Sequence, residues 1–156
     1  MKRLTLLLLL IFAVCANVFS QEKKLAVGAG PEWNMNSREN FAAGAVLGFD
    51  YNLPRSFAAG LTFSASSNFT GITVLEPAAM FRWYFLGTEN TGFFAQADAG
   101  ACLVLEDGET TALFLCGLRA GFRLPLGSMF YVEPFGRFGY PFMFGIGALA
   151  GIRGKK

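Results

Sequence analysis

One feature constrains this chain before any other: a side-chain period of two that runs from Leu25 almost to the end. A chain with that period sends alternate side chains to opposite faces of a sheet, so it builds strands rather than helices. Eight stretches carry the pattern, at 24–34, 41–53, 56–66, 72–86, 92–105, 110–124, 129–138 and 142–153, each bounded by turn residues. In the second stretch Phe41, Ala43, Ala45, Leu47, Phe49, Tyr51 and Leu53 oppose Gly44, Val46, Gly48, Asp50 and Asn52. In the fifth, Phe93, Ala95, Ala97, Ala99, Ala101 and Leu103 oppose Phe94, Gln96, Asp98, Gly100 and Cys102. In the sixth, Phe114, Cys116, Leu118, Ala120, Phe122 and Leu124 oppose Leu115, Gly117, Arg119, Gly121 and Arg123, so both arginines share the glycine side.

The connections are hairpin-sized, which makes neighbouring strands antiparallel. Asp107-Gly108 is a two-residue turn signal, and 52–56, 87–92 and 125–128 are somewhat longer links. Pro31, Pro77 and Pro134 fall inside strands, where each removes a ladder hydrogen bond and marks a rim or a bulge. The sheet is therefore an up-and-down meander of eight strands.

Which face points outward decides the class. A water-soluble lipid-binding barrel keeps its apolar face inside, whereas a membrane barrel turns it to lipid. An eight-stranded barrel has room inside for side chains or one small ligand, and here the apolar face carries most of eighteen Phe and both Trp. They cannot all fit within. The chain is 53% hydrophobic and 15% charged, and its other face, rich in Gly, Ala, Ser and Thr, suits a narrow lumen better than a solvated surface. The expectation is an all-β, eight-stranded antiparallel up-and-down transmembrane β-barrel, a monomer in outer-membrane lipid. In lipid an open sheet edge leaves unpaired backbone groups costing several kcal/mol each, so the last strand closes on the first.

Aromatic residues sort by height in keeping with this. Tyr51, Phe57, Trp83, Phe85, Phe93, Phe122 and Phe130 are expected on the outer wall near the rim where the first strand begins. Trp33, Phe41, Phe63, Phe114, Phe138 and Phe142 are expected on the same wall near the other rim, with smaller residues between the two girdles.

The first twenty residues read as a secretory signal peptide. Met1-Lys2-Arg3 is basic, Leu4 to Ala16 is apolar, and Val18-Phe19-Ser20 precedes the expected cleavage before Gln21. That leaves 21–156 as one barrel domain, exported to the outer membrane. A lipid-modified Cys15 is the lesser reading, because Val14 is branched where such sites carry small residues.

Charge and residue types exclude several functions. Thirteen Lys and Arg face eleven acids, and removing Lys2 and Arg3 with the leader leaves eleven of each, so there is no basic footprint for nucleic acid. The chain has no His, which removes His-based catalysis and His-ligated metal. No cofactor, metal site or enzyme activity is expected. Gly145 to Ala150 matches a dinucleotide fingerprint but has no room for a βαβ unit, and Asn68-Phe69-Thr70 reads as an outer loop rather than a glycosylation site.

The residues quoted resemble small eight-stranded outer-membrane barrels of the OmpA, OmpX and OmpW kind, including short spirochaete-like versions. The resemblance covers about 21–153 and rests on the alternation plus the run Tyr131-Val132-Glu133-Pro134-Phe135-Gly136-Arg137 and Gly139-Tyr140-Pro141-Phe142. It implies architecture and delivery by the barrel-insertion machinery, and it implies no activity. Such barrels end in an aromatic residue read by that machinery, whereas this chain ends Ile152-Arg153-Gly154-Lys155-Lys156.

The only polar constellation lies on the lumen face. Pairing about Asp107-Gly108 sets Gln96 opposite Arg119, with Asp98 diagonal, and the 86-to-92 link sets Arg82 opposite Gln96. Glu133 is expected near Arg119 or Arg123. Asp50, Glu76, Asp98 and Glu133 thus face Arg82, Arg119, Arg123 and Arg137, four acids against four arginines. A balanced set favours a salt-bridged plug over an ion path or a substrate site. The alternatives are a narrow channel or carrier for small or hydrophobic molecules, and a soluble periplasmic lipid-binding barrel. Cys102 and Cys116 face opposite ways and are expected to be free thiols. The stretch Asn34 to Asn40, with Ser37, Arg38 and Glu39, is the longest expected outer loop and the best candidate for outside contacts, though a plain solvated turn is the favoured reading of it.

Overall fold

A computed structural model of the chain describes residues 25–35, 41–53, 56–86 and 91–154. The leader, Cys15 and residues 36–40 of the candidate loop lie outside the described residues. Eight strands run in order: β1 (Leu25–Met35), β2 (Phe41–Leu53), β3 (Phe57–Ser67), β4 (Thr73–Leu86), β5 (Gly92–Glu106), β6 (Glu109–Leu126), β7 (Phe130–Tyr140) and β8 (Phe144–Arg153). Each pairs antiparallel with its neighbours in sequence, and β8 closes on β1, so the sheet is a closed barrel. Among the described residues there is no helix.

The register sets the tilt. Stepping from Leu25 through Tyr51, Ala59, Phe81, Ala97, Leu118, Phe138 and Phe144 returns to β1 at Met35, ten residues farther along. Eight strands with that stagger tilt by about 40° and enclose a space that side chains fill. The turn at Asp107-Gly108 has φ of 50° and 84°, the left-handed pair that a tight hairpin between Glu106 and Glu109 requires.

The alternation has an apolar exterior. Leu118 is 64%, Phe138 62% and Leu61 61% exposed, whereas Arg82 is 2% and Glu133 0%. Aromatic pairs such as Phe57–Phe81 and Phe93–Phe122, with ring centroids 5.5 and 4.6 Å apart, cross neighbouring strands on the outer wall. A soluble lipid-binding barrel needs these residues inside.

The prolines interrupt the ladder without producing bulges. Rungs are missing opposite Pro31 in β1–β8, Pro77 in β4–β5 and Pro134 in β6–β7, yet the register on either side of each gap is the same. Proline lacks the N–H for that rung, but its fixed φ is compatible with a strand. Among the described residues the one register shift lies elsewhere, between Tyr84 and Leu86. Each proline is directly beside a glutamate whose side chain is buried: Glu32, Glu76 and Glu133.

Candidate functional site: the charged lumen

The inward positions of β2, β4, β5, β6 and β7 carry Asp50, Glu76, Arg82, Gln96, Asp98, Arg119, Arg123, Glu133 and Arg137, and all nine are buried. Period two places them there, because on each strand their flanking neighbours, such as Leu118 beside Arg119, occupy the outer wall. They divide into two layers along the barrel axis.

The layer toward the β1 start is built on two arginines and two acids. Arg82 donates through Nε and Nη2 to Gln96 Oε1 at 2.8 and 2.5 Å, through Nη1 and Nη2 to the two oxygens of Glu133 at 2.8 Å, and through Nη1 to Tyr84 Oη at 3.0 Å. All five N–H groups of the guanidinium are therefore used. Arg123 donates through Nε to Glu133 Oε2 at 2.6 Å and through Nη2 to Asp50 Oδ2 at 2.7 Å. Its guanidinium carbon lies 4.2 Å from the Tyr131 ring centre, and that of Arg82 lies 4.1 Å from Phe94. Glu133 thus bridges Arg82 and Arg123. Of the two partners expected for Glu133, Arg119 and Arg123, it is Arg123 that it meets, and Arg82 is added across the lumen.

The second layer is composed differently. Arg137 donates through Nη1 to Glu32 Oε1 at 2.7 Å and to Glu76 Oε2 at 2.8 Å, and through Nη2 to Glu76 Oε1 at 3.1 Å. Asn34 Nδ2 and Ser64 Oγ also donate to Glu32 Oε1, at 2.8 and 3.1 Å. Arg119 sits between the layers, 3.4 Å from Asp98 Oδ2 and 3.6 Å from Glu32 Oε2, and stacks at 4.4 Å on the Phe135 ring. Its Nε and Nη1, Glu32 Oε2, Asn34 Oδ1 and Ser66 Oγ make no hydrogen bond. Gln96 Nε2 ties Asp98 back to the first layer at 2.6 Å.

Several expectations require correction. The lumen is not charge-balanced among the described residues: Glu32, fully buried, makes five acids against four arginines. The signal was present, since Glu32 alternates with the outward Trp33, but the neighbouring Pro31 obscured the face of that strand. Asn34 is not loop. It is the penultimate residue of β1, buried and bonded to Glu32. Phe142 is not part of the outer-wall girdle. It follows the end of β7, turns inward and packs with Ala42, Val74, Ala78, Cys102 and Leu115. The reason is that 141–143 belong to no strand, so period two does not apply to them.

The other aromatic girdle residues lie on the outer wall: Trp33, Phe41, Phe63, Phe114, Phe138, Trp83, Phe85, Phe93 and Phe130 exposed, with Tyr51, Phe57 and Phe122 half-buried there. Sequence reasoning also missed Tyr84, Tyr131 and Phe135, which line the lumen around the arginines. Cys102 is buried, Cys116 is exposed on the outer wall, and both are free thiols.

No family model matches the chain, and no curated protein matches it. Among solved structures it is similar to Neisserial surface protein A, at 11% identity and a TM-score of 0.58, over 85% of this chain and 96% of that one. It is also similar to the N-terminal β-barrel domain of Pseudomonas aeruginosa OprF, at 12% identity and a TM-score of 0.52, over 84% and 97%. Both are eight-stranded outer-membrane β-barrels, and at these identities the likeness is one of fold.

Proposed function

We propose that this chain is an integral outer-membrane β-barrel with a structural or surface-interaction role, its lumen plugged by charged pairs, and that it is not a catalyst. The observation that carries the reading is the inverted surface: aromatic and aliphatic side chains cover the closed wall while every described lumen arginine and carboxylate is buried inside it. In water that arrangement would expose an apolar patch far larger than a monomer tolerates, whereas in a bilayer it is the low-energy one. The leader and the insertion machinery would deliver the chain, and lipid would be its first partner.

The plug reading is supported by Glu133 and Arg82, whose mutual hydrogen bonds span the barrel interior between β4 and β7. A conducting path would have to break buried ion pairs, each of which costs several kcal/mol to separate. The test is planar-bilayer recording of the refolded protein beside carbonate extraction of native membranes. No discrete conductance steps, with the protein retained in the membrane pellet, is the expected result. Discrete steps would establish the channel reading instead, and release by carbonate would remove the membrane assignment.

A further inference from the structure

Above the second charged layer, at the end of the barrel that carries the β5–β6 turn, the lumen changes character. A cavity of about 130 Å³ opens there, lined by Ala42, Val74, Cys102, Val104, Leu113 and Phe142. It is half-enclosed by the 68–72 turn, whose polar groups are occupied with one another. Asn68 Oδ1 accepts from the N–H groups of Thr70 and Ile72, both at 3.0 Å, and Ser67 Oγ donates to the Ile72 carbonyl at 2.9 Å. The wall is thus preformed, and Asn68 is the one residue with a polar amide among those lining the cavity. Its floor is Phe142 and Cys102, and Glu76 and Arg137 beneath are already bonded to each other.

We propose that this cavity is a binding site for a small neutral apolar molecule, an aromatic ring or short alkyl group, entering from the aqueous side. An apolar cavity of roughly 150 Å³ stays dry and takes benzene, so the size and lining match one ring. A preformed apolar pocket also loses little order on binding. Charge selects against anions: Glu106, Asp107 and Glu109 stand exposed on the β5–β6 hairpin at this end of the barrel, and the positive charge of Arg137 beneath is already met by Glu32 and Glu76. This site lies above the proposed plug and does not depend on whether the lumen conducts.

The experiment uses the folded protein in lipid nanodiscs with Cys15→Ser and Cys116→Ser, so that Cys102 is the one thiol left. Fluorobenzene is titrated and followed by ¹⁹F NMR, and methanethiosulfonate modification of Cys102 is timed with and without it. A saturable component above linear lipid partition is expected, with modification slowed about tenfold at saturation. Leu113→Trp fills the cavity and should abolish both effects while the heat-modifiable folded band persists. Should that variant fail to fold, Ala42→Leu narrows the same space more gently. Linear partition alone, an unchanged thiol rate, or equal binding by the filled variant overturns the site. Fluorobenzoate should bind about tenfold more weakly than fluorobenzene, and equal binding overturns the assignment to neutral ligands.

Discussion

The two charged layers of the lumen use the same residue types and reach different ends. Near the β1 start, Arg82, Arg123, Asp50 and Glu133 are equal in charge, and the described bonds engage all five N–H groups of Arg82. Farther along, Glu32, Glu76 and Asp98 face only Arg119 and Arg137, and Arg119 meets its acids at 3.4 and 3.6 Å without a hydrogen bond. Burial of charge is tolerated in proportion to how completely each group is paired, so the first layer should hold the barrel rigid and the second should be the softer part. The difference is one of charge count and pairing geometry rather than of burial, since all of these side chains are about equally hidden from solvent.

Glu133 is where the two layers should differ most. Glu133→Gln leaves two guanidinium groups without their shared carboxylate and should destabilise the folded barrel by about 3–5 kcal/mol in urea titrations from lipid vesicles. A loss no greater than that of a second-layer variant would erase the distinction between layers. Phe142→Ala should cost about 3 kcal/mol by the same titration, because the ring packs inward under the apolar mouth; a cost near zero would return Phe142 to the outer wall. Leu118→Arg puts a guanidinium at the height of Arg119 but on the lipid side, where no acid waits. It should cost about 2–4 kcal/mol in a bilayer and little in water-soluble form, so a neutral result in lipid counts against the membrane reading.

The smallest effect is expected at Glu32. Glu32→Gln removes the surplus negative charge while its amide can still meet Arg137 and Asn34, so the change in stability should stay under about 1 kcal/mol. A loss matching that of Glu133→Gln would show that the second layer is as tightly coupled as the first. Raising salt from 0.1 to 1 M should alter none of these differences by much, since ions do not screen pairs buried inside the barrel. That is read by repeating the urea titrations at both concentrations.

Much of the fold was legible because a sheet that is apolar on one side records its faces in every second residue. The strand limits at Phe41, Leu53 and Leu86, the Asp107-Gly108 turn, and the pairing of Gln96 with Arg119 and Arg82 all follow from alternation plus turn length. Legibility failed where that periodicity lapses or is masked. Pro31 hid the face of Glu32, and Phe142 lies between strands. Pairings across the lumen were also out of reach: Glu133 meets Arg82 on β4, a strand with which β7 shares no rung.

What the sequence alone determined is therefore local and periodic: eight strands, their antiparallel order, and which side of the wall most residues occupy. A side-chain period needs only neighbouring residues to express it. Tertiary structure decided the rest. The ten-residue stagger around the closed sheet sets which inward side chains share a height, and only that shared height makes Glu133 a bridge, leaves Arg119 short of partners, and opens an apolar mouth above them.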